Sequence, residues 1–409
     1  MFSANRSIGL MAGCVVLAGA TWAVAQDWPQ WRGPHRDGRV AEFAAPETWP
    51  DALTEKWKTT VGSGDATPAL VGDKLYVFTR QGDDEVTLCL NAGDGNVVWQ
   101  EKYEAQAVTG AAGRHPGPRS SPAVAEGKVV TLGVGGVLSC LDAATGNLVW
   151  RKDPFPGKVP QFFTAMSPII VDGLAVAQLG KAGDGAMIAY DLAGGDERWR
   201  LDAGVPEYAS PVLMIVDGTK QLVTLTNQGV ASVGLSDGRL LWQLPFAPVS
   251  RAYNAATPIV DGQTMIYTGA GRGTKAAKIE KQGDRFVATE LWSNPDLAPQ
   301  FNTPVLKDGF LFGLSDRGKL FCINAENGAT AWTDTAEHGR GFAAIVDGGS
   351  CLLALPSTSE LIAFKANGSR YEQLATVKVA ETPTYAHPVI AGNRIFVKDE
   401  DAVTLYTIP

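Results

Sequence analysis

The sequence predicts an all-β fold: an eight-bladed β-propeller of four-stranded antiparallel sheets, its last blade closed by a strand from the N-terminal side. Three observations carry this. A unit of about forty-five residues recurs along the chain, and each full copy reads as four short strands ending in tryptophan. The apolar runs within it alternate with period two and are rich in β-branched and aromatic residues, as in Leu75-Tyr76-Val77-Phe78 and Val129-Val130-Thr131-Leu132. The final copy lacks its fourth strand, and an unassigned segment near the start, Leu53 to Val61, reads as that strand, with Trp57 at the tryptophan position. Closing the ring with one strand from each end removes the free sheet edges.

The units follow in order. They open at Pro68, Pro122, Pro168, Pro211, Pro258, Pro304, Ala344 and Pro388, 40 to 54 residues apart. Ser121 to Trp150 shows the grammar: a small residue and proline, a strand, a glycine turn, a second strand, a glycine-rich loop, a third strand, the turn Asp142-Ala143-Ala144-Thr145-Gly146, and a fourth strand ending in Trp150. The pattern repeats at Thr67–Trp99, Ser167–Trp199, Ser210–Trp242, Thr257–Trp292 and Thr303–Trp332; a degenerate copy from Ala343 lacks the tryptophan. Each repeat tryptophan is expected to lie against the adjacent blade. Glycines 95, 146, 195 and 328 are expected at positive φ in the turn between third and fourth strands. Asp94, Asp142 and Asp191 read as turn-stabilising carboxylates, not catalytic ones.

The chain has 409 residues, a net charge of −8 and 19% charged residues, with no long basic run, which argues against a nucleic-acid partner. Residues 1–25 read as a signal peptide: Arg6, an apolar stretch from Ile8 to Ala20, then Ala23-Val24-Ala25 before the cut, with lipid attachment at Cys14 as the rival processing. Nothing further reads as membrane-spanning. Residues 26–409 then form a single propeller domain, of which 26–52 are a lead segment, in a periplasmic or secreted monomer. Cys89, Cys140 and Cys322 each lie ten residues before a repeat tryptophan, at one equivalent third-strand position. Equivalent positions in separate blades are too far apart to bond, and Cys351 has no evident mate, so all four are expected to be free, buried thiols.

The turn-and-strand units DAATGNLVW, NAGDGNVVW and NAENGATAW resemble the pyrroloquinoline quinone (PQQ)-type propeller repeat. That repeat occurs in quinoprotein dehydrogenases and in the outer-membrane assembly propeller BamB. The lead Asp27-Trp28-Pro29-Gln30-Trp31-Arg32-Gly33-Pro34 resembles the opening of secreted PQQ-like repeat proteins. The dehydrogenase resemblance implies PQQ and calcium in an enzyme acting on an alcohol or sugar. Such enzymes commonly carry adjacent paired cysteines and long insertions between blades. This chain has no Cys-Cys pair, no C-x-x-C-H haem motif and little room for insertions. The reading is therefore a non-catalytic binding platform of the cell envelope, related to outer-membrane protein assembly, with no catalytic residue, cofactor or metal expected; the PQQ- and calcium-dependent oxidoreductase is the alternative.

In a propeller, the interblade loops and the loops between second and third strands open on one face. The candidate ligand-binding residues all lie in interblade loops: Arg114, His115, Arg119, Phe163, Tyr208, Arg251, Tyr253, Phe301, Arg340, Tyr385 and His387. Phe342 recurs at the equivalent place, and Lys181, Arg272, Lys275 and Arg317 join from the other loops of that face. Arginine and aromatic side chains are the residue types of binding hot spots. The expectation is a cationic, aromatic-rimmed mouth for an envelope protein or an extended polymer.

Overall fold

The computed structural model describes residues 27–40, 43, 45–202 and 206–408. The expected signal peptide, residues 1–25, falls outside them. The described strands form eight four-stranded antiparallel sheets. Seven are continuous in sequence. In the eighth, the strand Thr54–Thr60 pairs with Ala402–Thr407, Trp57 facing Leu405 across the ladder. The composite blade is thus present, with its N-terminal strand one residue shorter at each end than the sequence suggested. The degenerate copy is a full blade, its outer strand Gln373–Lys378 lacking only the tryptophan. The only helix among the described residues is a short 3-10 turn, Gly110–Arg114, and no helix there is long and apolar enough to cross a membrane.

The blades are joined by tryptophan docking. Each indole reaches a backbone carbonyl at the start of the next blade's last turn: Trp57 to Ala92, Trp99 to Ala143, Trp150 to Leu192, Trp199 to Leu235, Trp292 to Ala325 and Trp332 to Asn367, at 2.6–3.3 Å. Trp242 instead donates to Gln221 within its own blade. Its neighbour, blade five, has no such turn, because its third and outer strands are extended to ten residues each. In the turns, the carboxylate of Asp142 accepts the N–H groups of Ala144 and Thr145, and that of Asp191 those of Ala193 and Gly194. Blade one places Asn91 at this position, while Asp94 accepts the N–H of Asn96. The cysteines Cys89, Cys140, Cys322 and Cys351 are free and buried.

A second ring of bonds lies near the axis, at the residue before each blade's opening proline. Here the N–H of one blade donates to the hydroxyl of the next: Thr67 to Ser121, Ser121 to Ser167, Ser167 to Ser210, Thr257 to Thr303, and His387 to Thr67, at 2.9–3.1 Å. Proline holds the preceding residue extended, which aims its N–H around the ring. The series is interrupted around blade seven, where Ala343 and then His387 offer no hydroxyl, and between Ser210 and Thr257, whose hydroxyl accepts the Trp31 indole N–H.

The lead threads the axis. Trp28 pairs antiparallel with Leu70 on the inner strand of blade one, and Pro29 accepts the N–H of Val124 in blade two. The chain turns at Trp31 to Arg36, then returns parallel to the inner strands of blades seven and eight through bridges of Arg39 with Asp347 and Phe43 with Gly392. This hairpin enters from the face opposite the mouth, and its tip closes the channel.

Candidate functional site

At the tip of the hairpin two guanidinium groups are buried on the axis. Arg32 donates to the carbonyls of Thr303 and Pro304 (both 2.9 Å), Asp37 (3.1 Å) and Arg36 (3.3 Å). Arg36 donates to Ser167 (3.2 Å), Pro168 and Pro211 (2.8 Å), and to the amide of Gln30. Apart from those of Asp37 and Arg36 in the hairpin itself, these carbonyls belong to the opening segments of blades three, four and six. Burial lowers both guanidinium pKa values, to about 10 for Arg32 and about 9 for Arg36; both stay charged at neutral pH. Trp31 donates its indole N–H to Thr257 and meets His387 edge-on at 4.6 Å between ring centroids. Trp31, His387 and the two arginines floor the mouth.

Around this floor the interblade aromatics form two arcs. Phe162, Tyr208 and Tyr253 make one, with ring centroids 5.1–6.4 Å apart. Phe301 stacks on Phe342 (4.4 Å), Phe342 meets Tyr385 edge-on (5.3 Å), and Tyr385 meets His115 (4.8 Å), making the other. Arginines stand at the two breaks. Arg119 spans one, donating to the carbonyls of Phe162 and His115 (3.0 and 2.7 Å). Arg251 stands at the other, where Gln300 donates to its carbonyl. Arg114, Arg251 and Arg340 are exposed.

The candidates are therefore sorted by the fold. Tyr208, Tyr253, Phe301 and Tyr385 lie half-buried on the rim with His115. Arg119 is spent on holding the loops. Phe163 is not on the rim: it takes φ +63°, turns inward and packs against Ala112 and Val134, and its neighbour Phe162 supplies the rim aromatic. His387 is buried beneath Trp31 with no partner on either ring nitrogen, and burial holds its imidazole well below the ordinary histidine pKa. The histidines do not converge. His115 pairs with Asp65 (2.8 Å) and His338 with Asp334 (2.6 Å).

Sequence reasoning puts Arg272 on the mouth face but gives no sign that it comes near Glu207 at the junction of blades four and five. Arg272 lies over the Phe246 ring at 4.1 Å and donates to the Phe246 carbonyl and to Asn254. Glu207 Oε2 and Arg272 Nη2 are buried without partners among the described residues. Burial pushes the Glu207 carboxyl up to about 7, against the opposing pull of the Asn254 N–H and of Arg272.

The comparisons with known proteins agree with this architecture. A family model described as outer membrane protein assembly factor BamB matches residues 36–199 and 83–334, most of the chain. The chain belongs to the PQQ-like, BamB-type β-propeller family. This propeller is 21% identical to BamB of Yersinia pestis over 84% of its own length and 86% of that protein's. It is 28% identical to quinohemoprotein alcohol dehydrogenase ADH-IIG of Pseudomonas putida over 51% of its length, but spans only 27% of that enzyme. Among solved structures, BamB from Moraxella catarrhalis superposes with a TM-score of 0.65 at 14% identity, covering 87% of this propeller and the whole of the other. Quinohemoprotein alcohol dehydrogenase from Comamonas testosteroni superposes at 0.68 and 14% identity, covering 93% and 80%.

The fit of PQQ and calcium can be judged from the donors present. Among the described residues no group of three or more histidine, cysteine, aspartate or glutamate side chains is placed to hold a metal ion. The guanidinium groups on the axis already have backbone partners and are not free to pair with a tricarboxylate. The two axial arginines are therefore not a seat for the quinone.

Proposed function

We propose that this propeller is a non-catalytic binding platform of the cell envelope, taking part in outer-membrane protein assembly as its BamB relatives are named for, and that its partner docks on the mouth face. The observation that carries the reading is the aromatic rim interrupted by exposed arginines over a plugged axis. The plug floors the mouth with Trp31 and His387, which meet edge-on. The rim offers rigid apolar surface with directional cations, which suits an extended protein segment. In sequence, similarity spans 86% of a BamB but 27% of the ADH-IIG enzyme, which supports the same side; the folds superpose about equally well on both.

The test is twofold. Purified protein incubated with PQQ and Ca²⁺ is expected to show neither saturable cofactor absorbance nor dye reduction across an alcohol and sugar panel; turnover would overturn the reading. A pull-down from envelope extract is expected to recover an outer-membrane assembly barrel. Recovery should fall at least tenfold in the triple variant Arg114→Glu, Arg251→Glu, Arg340→Glu. Undiminished recovery would remove the mouth from the interface.

A further inference from the structure

The hairpin of the lead fills the axial channel unevenly. It pairs with the inner strands of blades one, seven and eight, accepts one N–H from blade two, and reaches the Leu306 carbonyl of blade six through Arg39 (2.9 Å). The inner strands of blades three, four and five are Ile169–Val171, Val212–Val216 and Ile259–Asp261. Among the described residues, none of them forms a backbone hydrogen bond to any segment outside its own sheet. Arg36 caps carbonyls only above two of them, at Ser167, Pro168 and Pro211. Between these strands and the hairpin remains a cavity of about 320 Å³.

The cavity has a definite chemistry. Ile170, Leu213, Ile259 and Val260 supply aliphatic walls, with His35 and Asp37 on the hairpin side. Blade four contributes a five-residue inner strand where blades three and five have three. On the same face of that strand as Leu213, Ile215 is 51% exposed. A sheet edge offers alternating N–H and C=O groups and is a template for another strand. The molecule already uses its inner edges this way: its own lead adds to blade one antiparallel and to blades seven and eight parallel. An acyl chain would cover the aliphatic walls but leave those backbone groups unpaired, at a cost in free energy. An extended peptide satisfies both.

We propose that this cavity is a second binding site, distinct from the mouth and on the opposite side of the plug. It takes an extended, apolar segment of a partner protein, which adds as a strand to the inner edge of blade four. The site does not depend on the function proposed for the rim.

The probe is acetyl-Val-Thr-Val-Thr-Val-Thr-amide, titrated calorimetrically into the whole protein, with hydrogen exchange read at the amides of residues 212–216. One-site binding is expected, with a negative heat-capacity change and slowed exchange at those amides. An analogue with an ester in place of one central amide should bind at least tenfold more weakly. So should the peptide to Ile215→Arg, a change at an exposed position that leaves the core alone. The triple arginine variant of the mouth should bind the peptide normally. The proposal is overturned if millimolar peptide gives no saturable heat, or if the ester analogue and Ile215→Arg leave affinity unchanged. It is also overturned if the mouth variant abolishes binding, or if lauric acid displaces the peptide and reproduces its exchange pattern.

Discussion

Gly146 lies against the indole of Trp99 in the preceding blade, so close that a Cβ there would stand 2.5 Å from Trp99 Cε3. The same relation joins Gly95 to Trp57, Gly195 to Trp150, Gly238 to Trp199 and Gly328 to Trp292. The turn glycine thus has two reasons to be glycine: a φ of +77° and an aromatic face in contact with its Cα. Gly127 takes a similar φ of +71° with open space where its Cβ would go. Gly127→Ala is expected to cost only the conformational strain, about 1 kcal/mol. Gly146→Ala adds displacement of the indole, on the order of 1–3 kcal/mol more. Urea midpoints of the two variants check this, and equal losses would refute the stacking argument.

The buried arginines of the lead should behave differently from its exposed one. Arg36→Met removes donors from three carbonyls just ahead of the inner strands of blades three and four and from the Gln30 amide, and an unmet buried acceptor loses its full compensation. A loss of roughly 3 kcal/mol is expected, since bonds to a charged group are worth about 1.5–3 kcal/mol each and are not additive. Arg39 is half exposed and its ion pairs with Asp37 and Asp347 are long, at 3.9 Å. Arg39→Met should cost under about 1 kcal/mol. Limited proteolysis gives a second readout: cleavage within 27–40 should accelerate in Arg36→Met and not in Arg39→Met.

The ring itself was legible because its unit repeats. Trp99, Trp150 and their equivalents recur with the glycine turn, and each partner of a recurring contact must recur with it. The composite blade followed because Trp57 was the one repeat-type tryptophan without a unit. The lead does not repeat, so nothing in its pattern announces an axial hairpin or marks Arg32 and Arg36 as its buried tip. His387 was misplaced for a reason visible afterwards. It precedes Pro388 as Thr67 precedes Pro68, and that position faces the axis, so alignment of the repeats would have put it inside. The sequence points Phe163 to the rim because it is silent about backbone geometry. Its positive φ flips one residue inward and promotes Phe162. The partnerless atoms of Glu207 and Arg272 come from loops of two neighbouring blades, and no local spacing links them.

The four thiols should be inert in the folded protein. Each is buried, and burial pushes Cys89 and Cys351 up to about 11 and Cys140 and Cys322 up to about 12. Thiolate is the reactive form, so alkylation at pH 8 is suppressed by both access and ionisation. Mass spectrometry after iodoacetamide treatment is expected to show none of the four modified under native conditions and all four modified in urea. Rapid native labelling at any of them would contradict the third-strand placement or the burial of Cys351.

Glu207 should make stability depend on pH in a predictable direction. Its folded pKa of about 7 lies above the ordinary 4.5, so the folded state holds the proton more tightly than the unfolded chain. The associated stability is fully present below about pH 4.5 and is lost as pH rises through 7. His387 acts in the opposite sense. Its folded pKa lies well below 6.5, so its contribution is present above pH 6.5 and is lost as pH falls. The wild-type curve mixes the two, and Glu207→Gln separates them by fixing a neutral side chain at 207 while leaving His387 in place. Relative to the wild type, the variant's urea midpoint is expected to rise steadily between pH 5 and pH 8. Parallel midpoint curves over that range would mean that Glu207 ionises as an ordinary surface carboxylate, and that the space between it and Arg272 is wet enough to solvate both charges.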